Sequence, residues 1–473
     1  MTLDMSAAPD MKSRPPRSYM HVIFYVILFM VALATLLSKR SLDSNAAYIA
    51  LKSVEPTPPL VALTQPIASL LLLTVAAERI LVQFVKRGGT TVASPALLGA
   101  YVLFWGGTVA APGLWGAHPQ FTHDFFYTLV IGIAAVLITG TERDLAIKAA
   151  RDALLVFMAV GVALIPIKTD MVLDTTYTQG LIPGLPRFGG LAPSPVGMGA
   201  LAQVCLVCLL ALPYRRASLN RIAWGLALAV LFVAQSKTAW LCFILSSGLL
   251  IAFRSGPSFW RRFSDPMRPE LGVLCVLVFI AGVLALALFL IFGHVDNRVV
   301  NFFSSSEGEQ LTSLTGRTQI WAVAYAEWLR HPVFGYGPSI WDVAFRNSVG
   351  MPNATHAHNQ FMDALSRSGA VGAASFVIYA LVLLVLSLRH ASTSRGLTLA
   401  LFVIIALRSV AEVPLSLYGY GIELVTHLLL LMTLAAAASD ARQRKDKERV
   451  AASRRHSAVA LVPNHGAQSR FVS

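Results

Sequence analysis

Long apolar runs, separated by short polar and often basic stretches, set the pattern of this chain. Runs such as 19–37, 60–85 and 271–292 reach the roughly 20 residues that an α-helix needs to cross a bilayer. Read along its length, the pattern predicts about twelve spans. They fall at 19–37, 60–85, 95–111, 124–139, 152–167, 195–212, 222–234, 237–253, 271–292, 369–388, 396–410 and 418–438. The expected fold is an all-α polytopic membrane protein, because a helix satisfies its own backbone hydrogen bonds inside lipid. Between the ninth and tenth spans lies a polar loop, 294–368, with helical patterns of its own. A loop of that length is more often functional than a connector. The predicted organisation is a tail over 1–18, helices over 19–293, the large partly helical loop over 294–368, helices over 369–438 and a basic tail over 439–473.

Composition agrees with a membrane chain: 56% of residues are hydrophobic and 13% charged, against roughly 45–50% and about 25% in soluble proteins. The formal net charge of +14 would suggest nucleic acid in a soluble protein, but here topology explains it and no nucleic acid is expected. The first apolar run follows Lys12, Arg14 and Arg17 and precedes Ser38-Lys39-Arg40, without a small-residue cleavage site. It reads as a retained span. Cys205 and Cys208 have CxxC spacing, but both sit within an apolar run, as do Cys242 and Cys275. They imply apolar filling rather than a disulfide framework.

With the N-terminus placed in the cytoplasm, the cytoplasmic loops collect Lys86, Arg87, Arg143, Lys148, Arg151, Arg215, Arg216, Arg221, Arg254, Arg261, Arg262, Arg268, Arg389 and Arg395. The C-terminal tail adds Arg442, Arg444, Lys445 and Lys447. This is the positive-inside bias. Arg187, Lys237 and the arginines of 294–368 run against it, so a local interaction must favour them. Glu78 and Arg79 fall toward the inner half of their span and carry no functional implication at this level.

The densest polar chemistry lies in the large loop. Thr315-Gly316-Arg317-Thr318-Gln319-Ile320-Trp321 opens an amphipathic helix that His331-Pro332 stops. A cation in the first turn opposes the helix dipole, and a bound anion there would reverse the sign. The bland alternative is an exposed surface arginine. His356-Ala357-His358-Asn359-Gln360 follows. A histidine there can take a proton from a sugar hydroxyl near neutral pH; alternatively both histidines are structural. Their i, i+2 spacing suits a zinc pair poorly, and neither HExxH nor a cysteine cluster accompanies them, so no metal is expected. Lys237, Arg408, Glu412 and Glu423 all fall near the same outer surface, although Arg408 and Glu412, four apart, could simply pair with each other. Arg187 precedes a Gly-rich entry into a membrane helix, where backbone amides can approach an anion.

These segments together resemble the O-antigen ligase and O-antigen polymerase superfamily, which includes exopolysaccharide polymerases. The likeness lies in Gly316-Arg317-Thr318-Gln319-Ile320-Trp321, His331-Pro332-Val333-Phe334-Gly335-Tyr336-Gly337, and His356-Ala357-His358-Asn359 followed by Gly369-Ala370-Val371-Gly372. Ser236-Lys237-Thr238 resembles the family's Ser-Arg/Lys-Thr element, and the Arg187 segment its Arg-containing loop. That loop departs from the family at Ala192-Pro193-Ser194-Pro195, where an Asn commonly follows the Pro.

The resemblance implies a multi-pass enzyme of the bacterial inner membrane, with its active site and large loop on the periplasmic side. Its donor would be a glycan on undecaprenyl pyrophosphate, and its acceptor a growing polysaccharide chain or lipid A-core. The implied reaction inverts the anomeric centre without metal or other cofactor. Arg317 and Arg187, with Lys237 and Arg408 as helpers, are then expected to stabilise the pyrophosphate leaving group. His358 is expected as the base, with His356 as the alternative or a positioning partner. Membrane lipid and polysaccharide-export or lipopolysaccharide-assembly proteins are the expected partners. The competing readings are a flippase-like transporter of lipid-linked glycans and a non-catalytic export subunit. A transporter would gather its polar groups near the midplane, whereas here they crowd one outer surface.

Overall fold

The computed structural model describes residues 18–38, 40–43, 58–85, 92–176, 184–263 and 317–460. The fold is a mostly helical bundle. Among the described residues, six helices are long and apolar enough to cross a membrane: Met20–Leu37, Pro59–Val85, Pro95–Trp115, Lys237–Gly256, Gln360–Arg389 and Glu423–Ala451. Shorter apolar helices occupy Phe125–Val136, Pro195–Ala211, Ala217–Val233 and Leu397–Ala411. Length and composition thus support six crossings directly, against about twelve expected from sequence. The predicted span 271–292, Cys275, Gly316 and the first part of the large loop lie outside the described residues.

Polar groups shift one predicted boundary and brace another helix end. The helix expected at 152–167 starts earlier and spans Gly140–Ala163. Thr139 and Glu142 form a capping box that satisfies its first amides, so Arg143 and Arg151 lie on the helix rather than in a loop. Arg79 is 1% exposed, donates from Nε to the Leu137 carbonyl at 3.0 Å and pairs with Glu142 Oε1 at 3.2 Å. It closes the end of one helix and braces the start of the next, which gives it a structural role.

The helix Glu423–Ala460 is the axis of the bundle, with 89% of its apolar window buried. It packs against Gly140–Ala163, Phe125–Val136 and Leu397–Ala411, then continues through the basic C-terminal segment. Pro195–Ala211 is likewise buried along most of its length. Both are therefore enclosed by protein rather than lipid, while leucines such as Leu63, Leu70 and Leu381 face outward.

Two glycines lock the large loop onto the bundle. The helix Gln360–Arg389 breaks at Gly369, whose φ is +62°. A side chain there would collide with the Val333 carbonyl. The break frees the carbonyls of Ser366 and Arg367, which accept from the amides of Tyr336 at 2.9 Å and Gly337 at 3.0 Å. In return, the amides of Ala370 and Val371 donate to the Pro332 and Val333 carbonyls. Gly335, with φ +72°, passes against the Arg367 backbone at the same point. The kink exchanges helical hydrogen bonds for bonds to the loop, and so fixes where the His motif begins.

Candidate active site

The His356-Ala357-His358-Asn359 turn is held from four directions. Asn359 caps the Gln360 helix by accepting from the amides of Phe361 and Met362, each at 3.0 Å. Its side-chain nitrogen donates to the Val410 carbonyl at 3.2 Å. Asp363, one turn into the helix, accepts from the Ala357 amide at 3.2 Å. Trp321, on the helix Arg317–Arg330, donates from its indole to the Ala357 carbonyl at 2.9 Å. Within the turn, the His358 amide donates to His356 Nδ1 at 3.0 Å. His358 itself has φ +49°, a left-handed conformation that costs a non-glycine residue energy and recurs at functional sites.

Glu412 stands at the centre. It ends the helix Leu397–Ala411, where its amide donates to the Arg408 carbonyl and its backbone turns extended. Its Oε2 lies 3.4 Å from His356 Nε2 and 3.5 Å from His358 Nδ1, and its Oε1 lies 3.9 Å from the Arg317 guanidinium. Two segments, the start of the Arg317 helix and the His356–His358 turn, therefore converge on one carboxylate. The expected alternative pairing of Arg408 with Glu412 is replaced by these contacts, although the Arg408 charge still acts on Glu412. Burial alone would raise the Glu412 carboxyl, but the contact with His358 and the charges of His356 and Arg408 outweigh it and hold it low. Burial, with the His358 charge beside it, pushes His356 down to about 4, so His356 is neutral near pH 7.

Beside this cluster a cavity of about 720 Å³ is lined by His356, His358, Glu412, Arg367, Arg408 and Glu423, among others. Ser194 and Gly197, at the N-terminal end of the helix Pro195–Ala211, form part of the opposite wall. Arg408 is 6% exposed and, among the described residues, makes no hydrogen bond or ion pair. A buried cation left in that state is costly unless a partner binds. Arg367 is already engaged. It pairs with Asp363 at 3.2 Å, donates to the Pro338 carbonyl at 2.7 Å and lies 4.8 Å from the centre of the Tyr418 ring. Tyr418 and Ser368 both donate to the carbonyl of Thr108, at 2.5 Å and 3.0 Å. Thr108 belongs to a π-helical turn, Gly106–Ala110, whose irregular ladder allows this side-chain bonding.

Arg187 and Lys237 go elsewhere, and neither lines the cavity. Arg187 is buried in a two-residue ladder, Asp174 opposite Arg187 and Leu173 opposite Phe188, and donates to the Ala234 carbonyl at 3.3 Å. Gln235, with φ +49°, donates to the Leu185 carbonyl at 2.8 Å, which joins the Arg187 segment to the turn preceding Lys237. Lys237 is exposed at the start of its helix. Arg40 braces this neighbouring cluster by donating to the carbonyls of Met171 and Gly190 at 2.7 and 2.8 Å and of Ala192 at 2.5 Å. Sequence reading missed Arg40, although its outer placement against the positive-inside bias was a usable signal. It also gave Asp363 no role, and it set Glu412 near the same outer surface without a role in the reaction.

The ligand atoms of His356, His358 and Glu412 lie within 4.8 Å of one another, close enough to test for a cation site. The hydrogen bonding opposes one. A metal-ligating imidazole binds through a lone pair and donates its other N–H outward. His356 has the reverse arrangement, because Nδ1 accepts from the His358 amide and the proton is left on Nε2, the atom facing Glu412. Arg317 adds a positive charge beside the same carboxylate. The three residues fit a carboxylate flanked by two imidazoles better than a resident metal.

The family model described as O-antigen ligase matches residues 222–377. Over that segment the match supports the resemblance to the O-antigen ligase and polymerase superfamily. The O-antigen ligase match contains Lys237, Arg317, His356 and His358, whereas Arg187, Arg408 and Glu412 lie outside it. The family supports a ligase- or polymerase-type role in surface polysaccharide synthesis. A search of curated proteins finds no match.

Proposed function

We propose that this protein is a membrane glycosyltransferase that moves a glycan from polyprenyl pyrophosphate to an acceptor hydroxyl on the periplasmic side of the inner membrane. The acceptor is a growing polysaccharide chain or lipid A-core. The observation that carries this reading is the convergence of Arg317, His356 and His358 on Glu412 at the edge of a cavity that also holds Arg408, unpaired among the described residues. The cavity lining brings together proton acceptors in His356 and His358, a cation in Arg408 and residues at a helix N-terminus. This suits a reaction in which an alcohol loses a proton while an anion departs.

In the proposed step, the acceptor oxygen attacks the anomeric carbon and the bond to pyrophosphate breaks with inversion. His358 takes the acceptor proton. His356 is the weaker candidate for base, because its Nδ1 is already occupied by the His358 amide. It acts instead as a positioning partner. Arg408 stabilises the departing pyrophosphate from within the cavity, and Arg317 does so from the rim. Arg317 is 3.9 Å from Glu412, too far for a hydrogen bond, so its N–H groups can turn to the anion. Arg187 and Lys237 act from the adjacent cluster, on the outer parts of the donor. Asp363, Glu412 and Glu423 offer carboxylate acceptors around the cavity, a lining suited to sugar hydroxyls. No cofactor or metal is required by this scheme.

The sidedness follows from charge. The helix ends that build the site carry Glu412, Ser194 and Asn359, while Arg143, Arg215, Arg216, Arg254, Arg389 and Arg395 gather at the opposite ends. By the positive-inside rule those opposite ends face the cytoplasm.

The test is the size distribution of surface glycans after deletion of the gene in its own host, with rescue by wild type or by Arg317→Ala. Loss of long chains with single repeat units remaining identifies a polymerase. Long chains retained on the lipid carrier, with uncapped lipid A-core, identify a ligase. Full rescue by Arg317→Ala, with the variant present in the membrane at wild-type level, removes the assignment. An unchanged pattern on deletion returns the protein to a transporter or accessory role.

A further inference from the structure

The imidazole of His358 has a buried nitrogen, Nδ1, that makes no hydrogen bond among the described residues, and Glu412 Oε2 faces it at 3.5 Å. The backbone permits little escape. The left-handed φ of His358, the bond from Ala357 to Asp363 and the bond from His358 to His356 fix where this ring can point. Glu412 is equally constrained, since it ends its helix on the Arg408 carbonyl two residues after the Asn359–Val410 tie.

We propose that Glu412 is a positioning residue that selects the tautomer of His358, keeping the proton on Nδ1 so that Nε2 presents its lone pair toward the cavity. This inference rests on the reading of His358 as the base. An ionised carboxylate only accepts hydrogen bonds, so a nitrogen facing it carries the hydrogen. The proton of neutral His356 is already on Nε2, facing the same oxygen. Glu412 Oε2 then faces two imidazole N–H groups while Oε1 faces Arg317. The remaining charged groups do not compete for Nδ1. Asp363 and Arg367 pair with each other on the Gln360 helix, Arg408 lies one turn back on the helix that Glu412 ends, and Glu423 opens the last helix across the cavity. A carboxylate that orients the base and steadies its protonated form is the same physical device that supports histidine in hydrolytic triads.

Glu412→Gln is the informative change. An amide presents one acceptor and one donor, so it cannot offer a carboxylate oxygen to the two imidazoles and another to Arg317. The experiment uses the full chain in nanodiscs, labelled with 15N-histidine, with the His358 signals identified by their loss in His358→Gln. The expected result is Nδ1–H for His358 in the wild type, a shift toward Nε2–H in Glu412→Gln, and retention of Nδ1–H in Glu412→Asp. Transfer in the host should fall roughly 10²- to 10⁴-fold in Glu412→Gln, with partial recovery in Glu412→Asp. Wild-type His358 protonated on Nε2, or a tautomer unmoved by Glu412→Gln, overturns the proposal. If the tautomer responds as expected but His358→Gln preserves the host's glycan pattern, the control by Glu412 stands and the base assignment of the proposed function fails.

Discussion

The side-chain nitrogen of Asn359 donates to the carbonyl of Val410 at 3.2 Å, across the gap between the start of one helix and the end of another. The same side chain caps the Gln360 helix through its oxygen. One residue therefore sets the exit of the His motif and the position of Glu412, two residues beyond Val410. The cluster is assembled by helix termini rather than by the loop alone.

Replacing Asn359 separates these two jobs. Asn359→Ala removes both cap and tie and should destabilise the protein by about 1–2 kcal/mol. Asn359→Asp keeps an acceptor for the Phe361 and Met362 amides but loses the donor to Val410, so it should unfold close to wild type while impairing transfer. Thermal unfolding of the purified protein and glycan chain length in the host check the two effects separately. Equal losses of stability in both variants would assign the stabilisation to the Val410 tie, which both lose, rather than to the cap.

Arg408 should show the opposite balance. Its guanidinium is buried without a hydrogen bond or ion pair among the described residues, so removing it relieves a desolvated charge rather than orphaning a partner. Arg408→Gln should leave the unfolding temperature unchanged or higher and abolish long-chain glycan. Such a trade of stability for function is expected of a binding group held ready for an anion. A destabilised Arg408→Gln would show that the cation serves the fold.

The sequence exposed the helices because a lipid-facing or fully buried helix leaves a long apolar record. The motif residues His356, His358 and Arg317 were legible because they sit in an unusually polar loop. Glu412 was not, since nothing at positions 408 and 412 distinguishes a helical i, i+4 ion pair from a carboxylate aimed at another segment. Asn359 likewise reads as an ordinary cap, and its second bond depends on the tertiary approach of Val410. Arg187 and Lys237 carry the same charge-bias signal as Arg317, yet the structure separates them from the cavity. Charge bias reports the side of the membrane, whereas cavity lining depends on which helix ends meet.

Gly369 tests the lock between loop and bundle. With φ +62° and the Val333 carbonyl standing where a side chain would begin, Gly369→Ala combines left-handed strain with a backbone collision. The expected cost is on the order of 1–3 kcal/mol for the strain alone. Faster proteolysis within 330–370, together with reduced transfer, would be the observable result. An alanine variant as protease-resistant as wild type would mean that the kink does not hold the loop.

Chelation should leave transfer intact. The proton of His356 sits on the nitrogen that faces Glu412, and Arg317 supplies positive charge at the same carboxylate. Treatment of host membrane vesicles with EDTA, followed by measurement of chain extension, is expected to give wild-type product. Loss of extension that zinc alone restores would instead assign a cation to His356, His358 and Glu412.

Acid should loosen the site from His356 first. The fold holds this imidazole neutral down to about 4, whereas an exposed histidine in the unfolded chain takes up its proton near pH ~6.5. Between those values the unfolded state binds more protons, so stability rises with pH across the window. The contribution is complete above pH ~6.5 and is lost as pH falls toward the folded value. Glu412 acts in the same direction at lower pH. Its carboxyl is held below the ordinary range, so its contribution disappears as pH falls through that depressed value. The unfolding temperature of the purified protein should therefore be flat from neutral to mildly alkaline pH and decline steadily below pH ~6.5. His356→Asn retains a side-chain acceptor for the His358 amide but cannot titrate, and it should flatten the upper part of that decline. An identical decline in His356→Asn would place the acid-sensitive group elsewhere and leave the buried neutral imidazole without consequence for stability.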